Sequence, residues 1–370
     1  MNIQSFQDLP ISDNIKKSIK EMNFKNPTPV QKTTIPEALK GKDLIVQAQT
    51  GTGKTVAYGI PIVEKLFVED KSPQAIVICP TRELAIQIAN EISRIATNTK
   101  KVIVLPVYGG ESIGKQTRVL KKGVHIIVGT PGRIIDHINR GTVDLEGIET
   151  VVLDEADEML DMGFRQDIEN IIENTPKQKQ TLLFSATIPD EIRKIAEKYQ
   201  NNPKFLKSSG KHKRNNIDQY YFNVDQNDKL SLLAHLISKN NFKSAIVFCN
   251  TKKRASFVNG YLQDNGFSSE VIHSDINQKR RDKIMNKFRN RNVKILVATD
   301  LAARGIDVNN LDCVINYDVA RTPDEYVHRI GRTGRVNNSG LAFTFVDKND
   351  ISYFKNIQKA LGFKIKKRKM

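Results

Sequence analysis

The chain has 370 residues, of which 58 are lysine or arginine and 41 are aspartate or glutamate, so its formal net charge is +17. Apolar residues make up 39% and charged residues 27% of the sequence, which excludes a disordered or membrane-embedded polypeptide. No apolar run approaches the ~18 residues of a membrane-spanning helix, and the N-terminus lacks the basic and apolar regions of a signal peptide. We therefore expect a soluble cytoplasmic protein, with two domains at roughly 100–200 residues each.

Short β-branched runs alternate with helical patterns along the chain. This alternation is typical of βαβ units, which place a parallel sheet between helices. The predicted strands of the first half are 44–48, 75–79, 126–128, 151–153 and 182–184. Those of the second half are 220–224, 245–249, 270–273, 294–298, 313–317 and 341–346. The predicted fold class is α/β, with the same architecture in both halves and no repeat of sequence.

The positive charge lies almost entirely in the second half. Residues 1–205 hold 27 basic and 26 acidic side chains, whereas residues 206–370 hold 31 and 15. A domain with such an excess attracts polyphosphate backbones by releasing their counterions, without reading base sequence. The alternative for any single cluster is a solvated lysine-rich face that keeps the protein soluble. The excess over a whole domain favours nucleic acid as a partner.

Most polar clusters of interest follow the ends of predicted strands. GTGKT follows LIVQA, TREL follows AIVICP, TPGR follows IIVG, DEAD follows VVL, SAT follows LLF and TD follows LVA. In open α/β sheets the ligand crevice lies outside the carboxyl ends of the strands. We therefore expect these clusters to line ligand sites, with both halves facing a shared cleft.

The sequence AQTGTGKT stands between a strand and a helical pattern, which is the setting of a phosphate-binding loop. Gly51 and Gly53 let backbone N–H groups turn toward phosphate oxygens, while Lys54 can reach the β- and γ-phosphates and Thr55 can bind Mg²⁺. The strict pattern opens with glycine, and Ala48 stands there instead. A chance Gly/Thr-rich turn is the alternative interpretation, and the GKT ending in this setting argues against it.

Asp154 and Glu155 come directly after the strand VVL, about 100 residues after GKT. Asp154 can hold Mg²⁺ through water, and Glu155 can polarise the water that attacks the γ-phosphorus. An acidic first turn exposed to solvent is the alternative for either residue taken alone. The pairing with GKT favours a nucleotide site.

HRIGRTGR places Arg329, Arg332 and Arg335 at every third residue among glycines. This spacing can bring guanidinium groups to the anion that develops during phosphoryl transfer. Structural ion pairing is the alternative, above all for Arg329. If Arg332 and Arg335 act on ATP, hydrolysis requires the two halves to close together.

Eight segments resemble, in the same order, the signature motifs of DEAD-box ATP-dependent RNA helicases: PTPVQ (27–31), AQTGTGKT (48–55), PTRELA (80–85), TPGR (130–133), DEAD (154–157), SAT (185–187), ATDLAARGID (298–307) and HRIGRTGR (328–335). The resemblance covers the chain from Phe6 to about Phe345. It implies two RecA-like domains, each a mostly parallel sheet flanked by helices, with ATP in the interdomain cleft and RNA across both. The expected parts are an N-terminal domain at 1–205, a basic linker at 206–216, a C-terminal domain at 217–362 and a basic tail at 363–370.

The resemblance also implies which residues bind ATP and Mg²⁺. Gln31 would read the adenine and Phe24 would stack on it, although core packing is the alternative for Phe24. The implied ATP-binding set is Phe24, Gln31, Gln49, Thr50, Gly51, Thr52, Gly53, Lys54, Thr55, Gly305 and Asp307, with Thr55 and Asp154 as metal ligands. The catalytic set is Lys54, Asp154, Glu155, Arg332 and Arg335. Ser185, Ala186, Thr187 and His328 would couple the ATP site to domain closure, although Ser185 and Thr187 can equally form a plain turn.

For RNA, the resemblance implies contacts to the backbone, which carry no base identity. The implied set is Arg82, Gly109, Gly110, Thr130, Arg133, Thr251, Gln278, Arg281, Thr299 and Arg304. An ordinary helix-surface charge is the alternative for Arg281. Two departures from the family pattern put local backbone shape in question: Asn23 replaces a usual glycine, and HSD at 273–275 replaces HGD.

The expected function is therefore RNA-stimulated ATP hydrolysis that separates short RNA duplexes by bending one strand. An ATP-gated RNA clamp that remodels ribonucleoproteins with little unwinding is the main alternative. A DNA translocase and a catalytically silent scaffold fit the motifs less well. Expected partners are RNA and proteins of ribosome assembly or RNA decay, with no membrane and a monomeric chain.

Overall fold

A computed structural model of the chain describes residues 3–49, 51–99, 101–207, 217–303, 311–334 and 340–368. The chain divides into two compact units, Met1–Gly210 and Lys211–Met370. The described residues of each unit form one sheet of seven strands, and every strand pair within it is parallel. The predicted fold class is confirmed.

The strands of the first unit are β1 (Leu44–Gln47), β2 (Ala75–Ile78), β3 (Val104–Val107), β4 (Ile126–Gly129), β5 (Thr150–Leu153), β6 (Gln180–Ser185) and β7 (Lys204–Lys207). Its helices are α1 (Asp13–Glu21), α2 (Pro29–Leu39), α3 (Lys54–Lys65), α4 (Arg82–Ile95), α5 (Ile113–Leu120), α6 (Pro131–Asn139), α7 (Ala156–Asp161), α8 (Arg165–Glu173) and α9 (Asp190–Tyr199), preceded by a 3-10 helix at Phe6–Asp8. The sheet order is β3-β4-β2-β5-β6-β1-β7.

The strands of the second unit are β8 (Ile217–Asn223), β9 (Ala245–Phe248), β10 (Ser269–Ile272), β11 (Ile295–Ala298), β12 (Cys313–Asn316), β13 (Gly340–Val346) and β14 (Lys366–Lys367). Its helices are α10 (Lys229–Asn240), α11 (Lys252–Asp264), α12 (Gln278–Arg289), α13 (Asp300–Ala303), α14 (Pro323–Ile330) and α15 (Ile351–Leu361). The sheet order is β10-β11-β9-β12-β13-β8-β14.

The two sheets have the same topology. Counted within its own unit, each runs third, fourth, second, fifth, sixth, first and seventh strand. The predicted duplication of architecture is therefore confirmed, and it extends to the last strand, because β14 occupies in the second sheet the place that β7 holds in the first.

The cores form because the central strands are apolar on both faces. In β2, Val77 packs into the same cluster as Ile88 of α4, whereas Ile76 packs on the opposite face with Ile168 of α8. Parallel strands covered by helices on both sides read as continuous apolar runs rather than as alternating ones. This burial explains why the sequence predicts the central strands well.

The basic tail predicted from residue 363 onward requires a correction. Lys366 and Lys367 form the edge strand β14 beside β8, and Ile365 just before them is buried. Arg368 donates its backbone N–H to the Tyr221 carbonyl, and its guanidinium lies over the Tyr220 ring, 5.1 Å from the centroid. The sequence of this segment resembles a solvated tail because Ile365 is the one apolar side chain that is buried among its described residues.

The predicted linker also begins too early. Strand β7 continues to Lys207, so the first two residues of 206–216 belong to the sheet of the first unit. Residues 208–216 lie outside the described part of the chain. The strand is exposed along most of its length, which is why its sequence, KFLK, gives no clear strand signal.

Candidate functional site

The predicted phosphate-binding loop joins β1 to the start of α3. Gly51 and Gly53 both have left-handed backbones, with φ of +77° and +90°, which glycine adopts without strain. A Cβ on Gly53 would also collide with the Gln31 side chain. Thr52 closes the turn by donating its hydroxyl to the Gln49 carbonyl at 2.8 Å. Thr50 lies outside the described residues.

Gln31 contacts this loop directly. Its amide nitrogen donates to the Gly53 carbonyl at 3.1 Å, and its oxygen accepts the backbone N–H of Thr28 at 2.8 Å. The Thr28 hydroxyl donates to the Thr52 carbonyl at 2.8 Å. The amide of Gln31 therefore already fixes the loop, a role that sequence reasoning missed. Reading of adenine by Gln31 stays a prediction, as does stacking by Phe24, which is 38% exposed.

The two departures from the family pattern differ in backbone conformation. Asn23 follows the end of α1 with φ +61°, and asparagine is the residue that most readily replaces glycine in such a left-handed turn. Ser274 does not adopt the left-handed region, so glycine is not required there. His273 beside it is buried, and its Nε2 lies 3.0 Å from the Ser256 hydroxyl.

Asp154 directly follows β5 and has hydrogen-bond or ion-pair contacts with Lys54, Glu155 and Tyr58. Its Oδ1 lies 3.3 Å from the Lys54 ammonium and accepts the Glu155 backbone N–H at 2.9 Å, while its Oδ2 accepts the Tyr58 hydroxyl at 2.9 Å. Both Lys54 and Asp154 are buried. Burial lowers the pKa of Lys54, but the carboxylates of Asp154, Glu155 and Asp157 outweigh this and raise it overall. Lys54 therefore keeps its charge.

Glu155 has a left-handed backbone, with φ +52° and ψ +50°, at the residue before α7. This conformation is uncommon for a residue with a side chain and is concentrated at functional sites. Glu155 remains half-buried, whereas Asp154 and Ala156 on either side are buried. Glu155 is thus more exposed to solvent than the residues on either side of it.

The residues present fit a magnesium ion. Thr55 supplies a hydroxyl and Asp154 a carboxylate, and Mg²⁺ prefers oxygen ligands of this kind. Within the parts of the chain that the structure describes, no three His, Cys, Asp or Glu side chains group closely enough to hold a metal by themselves. Mg²⁺ at nucleotide sites uses one or two protein ligands together with phosphates and water.

Asp157 connects the DEAD segment to the SAT segment. Its Oδ2 accepts both the backbone N–H and the hydroxyl of Thr187, at 2.8 and 2.9 Å, and its own N–H donates to the Ser185 hydroxyl at 3.2 Å. The Ala186 carbonyl accepts from Gln47 of β1 at 3.3 Å. The structure thus brings SAT and DEAD together, and a role in coupling stays a prediction.

Arg329 in the second unit is a structural residue. Its guanidinium is 1% exposed and binds both oxygens of Asp300 at 2.6 Å, the Asn250 side chain at 2.8 Å and the Asp318 carbonyl at 2.7 Å. This confirms ion pairing as the role of Arg329. His328 and Arg332 line a small cavity beside it. Arg335, Arg304, Gly305 and Asp307 lie outside the described residues.

The predicted RNA-contact residues of the first unit lie at the carboxyl ends of strands β2 to β4. The Arg82 guanidinium packs against Gly109, where a Cβ would come within 3.3 Å of it. Gly110 has φ +91°. Thr130 is the N-cap of α6, and Arg133 donates to the Glu111 carbonyl at 3.1 Å. The structure therefore brings these residues together around one loop.

In the second unit the predicted RNA-contact residues also begin helices. Thr251 caps α11 by accepting the Arg254 N–H at 3.2 Å, and Gln278 opens α12. Arg281 donates to the Ala302 carbonyl and so connects α12 to α13. Helix α13 begins directly after Thr299. Helix N-termini at strand ends are natural sites for phosphate.

Two family models match the chain: DEAD/DEAH box helicase over residues 28–195 and helicase conserved C-terminal domain over residues 228–337. The DEAD-box ATP-dependent RNA helicase CshA of Geobacillus kaustophilus is 49% identical, covering 99% of this chain and 78% of its own length. CshA of Bacillus subtilis is 47% identical, covering 99% and 74%. The chain belongs to the DEAD-box ATP-dependent RNA helicases.

Solved structures of other DEAD-box proteins share this fold. Saccharomyces cerevisiae Dbp5 bound to RNA and ADP BeF3 superposes with a TM-score of 0.89 at 33% identity, covering 99% of this chain and 95% of that one. Mss116p bound to single-stranded RNA and AMP-PNP superposes with a TM-score of 0.89 at 30% identity, covering 100% of this chain and 80% of that one.

Among the described residues of this helicase, no helix has the length and apolar character needed to cross a bilayer.

Gln116 is a residue of this DEAD-box helicase that sequence reasoning missed. It is buried on α5, donates to the Tyr108 carbonyl at 3.0 Å and accepts from Arg133 at 3.0 Å. The His137 Nε2 lies 3.0 Å from the same oxygen, and burial lowers the pKa of His137, which favours its neutral form. Gln116 thus joins the glycine pair to TPGR.

Replacing Gln116 with leucine is expected to weaken RNA binding and RNA stimulation of ATP hydrolysis, because Tyr108 and Arg133 lose their common partner. Leaving these half-buried groups unsatisfied also costs up to about 1–3 kcal/mol of stability. Gln180→Leu is the matched control, since Gln180 is buried in the same unit but bonds to the Ala38 and Lys42 carbonyls. Equal RNA affinity of the two variants would contradict the role assigned to Gln116.

Proposed function

We propose that this DEAD-box helicase couples RNA-stimulated ATP hydrolysis to local separation of short RNA duplexes. The observation that carries the proposal is the arrangement at the end of β5, where the buried Lys54–Asp154 pair lies next to the half-buried Glu155 and to the loop that Gln31 holds. This arrangement combines a phosphate cradle, an oxygen ligand for a metal and a group that can accept a proton.

Each residue has a distinct task in this proposal. Lys54 and the backbone of residues 51–55 bind the phosphates, and Glu155 polarises the attacking water. Thr55 and Asp154 hold Mg²⁺, which supplies positive charge to the phosphate oxygens when it is bound. The proposal also assigns Arg332 and Arg335 to the charge on the γ-phosphate, so that hydrolysis requires both units to close around ATP.

RNA is proposed to bind along the helix N-termini and glycine turns at the strand ends. Arg82, Thr130 and Thr251 lie at or beside such N-termini, where backbone N–H groups and side chains suit phosphate and 2′-hydroxyl groups. The exposed side of α12 adds Lys279, Arg280 and Lys283, although only Gln278 and Arg281 belong to the predicted set. None of these groups reads a base, so recognition is expected to be independent of sequence.

Replacing Gln31 with alanine is expected to reduce the preference for ATP over GTP, because the amide proposed to read adenine is removed. The variant also loses the hydrogen bond to Gly53, so hydrolysis of both nucleotides should slow. The ratio of kcat/KM for ATP and GTP separates the two effects. An unchanged ratio would mean that Gln31 holds the loop but does not read adenine.

Replacing Lys364, Lys366 and Lys367 with glutamine tests the basic edge strand without removing buried Ile365. Because these lysines are exposed, the sheet should stay intact. Each lost phosphate contact should flatten the salt dependence of RNA binding by about 0.7 in log–log slope for a single strand. The same change at Lys16, Lys17 and Lys20 of α1 is the control. Identical slopes would mean that the edge-strand lysines are only solvated.

The alternative function is an ATP-gated clamp that grips RNA and remodels ribonucleoproteins with little unwinding. Gripping and unwinding would use the same residues, so strand displacement decides between them. We expect ATP-dependent release of the short strand from a duplex of about ten base pairs at saturating protein. Tight ATP-dependent RNA binding without release would favour the clamp. A monomeric chain, a cytoplasmic location and partners from ribosome assembly or RNA decay stay predictions.

A further inference from the structure

Tyr58 lies next to the proposed metal site without belonging to any predicted set. It is on α3, one turn after Thr55, and its ring is fully buried edge-to-face against Phe184 of β6, with centroids 5.1 Å apart. A phenylalanine would fill the same space. Packing therefore explains the ring but not the hydroxyl group, which donates to Oδ2 of Asp154 at 2.9 Å.

The hydroxyl lies close to two residues with related tasks. Thr55 and Tyr58 are three residues apart and so neighbours on one helix face, and the Tyr58 hydroxyl donates to Asp154. The phenolic hydroxyl of an ordinary tyrosine carries its proton at neutral pH and can donate it in a hydrogen bond.

The other partners of Asp154 make the Tyr58 contact important. Oδ1 of Asp154 accepts the Glu155 backbone N–H and lies next to the Lys54 ammonium, whereas Oδ2 accepts a hydrogen bond from the Tyr58 hydroxyl. A bound phosphate competes for the Lys54 ammonium, which can donate to either anion. The Glu155 backbone and the Tyr58 hydroxyl are then the contacts that still orient the carboxylate.

We propose that Tyr58 is a positioning residue for divalent metal binding, because its hydroxyl orients the Asp154 carboxylate toward the ion that accompanies the nucleotide. The inference rests on the proposed metal roles of Thr55 and Asp154. Outer-shell partners of metal ligands typically contribute 10–100-fold in metal affinity. The same range is expected here.

The test is binding of a fluorescent ADP analogue to the full chain, titrated with Mg²⁺ and repeated in EDTA. In Tyr58→Phe the Mg²⁺ concentration for half-maximal effect should rise about 10-fold or more, with affinity in EDTA unchanged. Tyr326→Phe is the control, since Tyr326 is also buried and donates its hydroxyl to Gln219 at 3.0 Å. It should behave as the native chain.

An unchanged Mg²⁺ titration in Tyr58→Phe would overturn the proposal. So would an equal loss of affinity with and without Mg²⁺, which would mean that the nucleotide loop is distorted. If nucleotide binding to the native chain does not depend on Mg²⁺, the metal roles of Thr55 and Asp154 fail, and this inference fails with them.

A second measurement tests the proposal if Tyr58→Phe lowers the stability of the protein. Tyr58→Phe is combined with Asp154→Asn, and the Mg²⁺ response of the four proteins forms a double-mutant cycle. If Tyr58 acts through Asp154, its substitution should add little in the Asp154→Asn background. Full additivity of the two changes would overturn the proposal.

Discussion

Replacing Glu155 with glutamine is expected to reduce the turnover number for ATP by about 10²–10⁴-fold, which is the usual contribution of a general base. Glutamine keeps the size of the side chain and can occupy the same left-handed backbone position, so ATP and RNA should still bind. The variant is therefore expected to accumulate as a complex with ATP and RNA. Single-turnover hydrolysis and equilibrium binding of RNA with ATP measure the two effects separately.

Glu146→Gln provides the control for this prediction, because Glu146 is an exposed glutamate in the same unit. It should hydrolyse ATP at the native rate. Native turnover by Glu155→Gln would remove Glu155 from the chemistry. Loss of ATP binding in that variant would also contradict the account, since it would mean that the carboxylate holds the nucleotide rather than the water.

Replacing Arg329 with methionine is expected to destabilise the second unit by about 3–5 kcal/mol, because the half-buried Asp300 carboxylate would lose the buried guanidinium that binds both of its oxygens. For a domain of this size, that loss lowers the melting temperature by about 6–20 °C. The chain contains no tryptophan, so calorimetry and circular dichroism are the suitable probes. The two units need not melt in one transition.

Two further arginine variants make this prediction specific. Arg321→Met, at an exposed position, should leave the melting temperature unchanged. Arg332→Met should hydrolyse ATP more slowly, since Arg332 is proposed to act on the γ-phosphate. Native melting of Arg329→Met would show that its contacts to Asp300 and Asn250 do not stabilise the unit.

The sequence predicts the central strands and the edge strand β10 but misses the other three edge strands, for a physical reason. Strands such as β2 and β9 are buried on both faces, so their residues form uninterrupted apolar runs. The missed strands β3, β7 and β14 lie at sheet edges. Edge strands tolerate proline and lysine, which protect them from pairing with other chains, and Pro106 and Lys366 are examples.

The candidate site follows the same division. The loop around Lys54 and the carboxylates after β5 could be predicted because glycine, lysine and acidic residues at strand ends have few other uses in combination. Gln116 and Tyr58 could not, because their importance depends on which buried groups lie beside them in space. Ser185 and Thr187 were identified by family resemblance alone, and the structure adds their hydrogen bonds to Asp157.

The central claim is that RNA, and not DNA, activates ATP hydrolysis by this helicase. Steady-state hydrolysis is measured at low salt without nucleic acid, with single-stranded RNA and with DNA of the same sequence. We expect strong stimulation by RNA only, because the proposed contacts include 2′-hydroxyl groups. Equal stimulation by DNA, or no stimulation by either, would contradict the coupling between the RNA-contact residues and the ATP site.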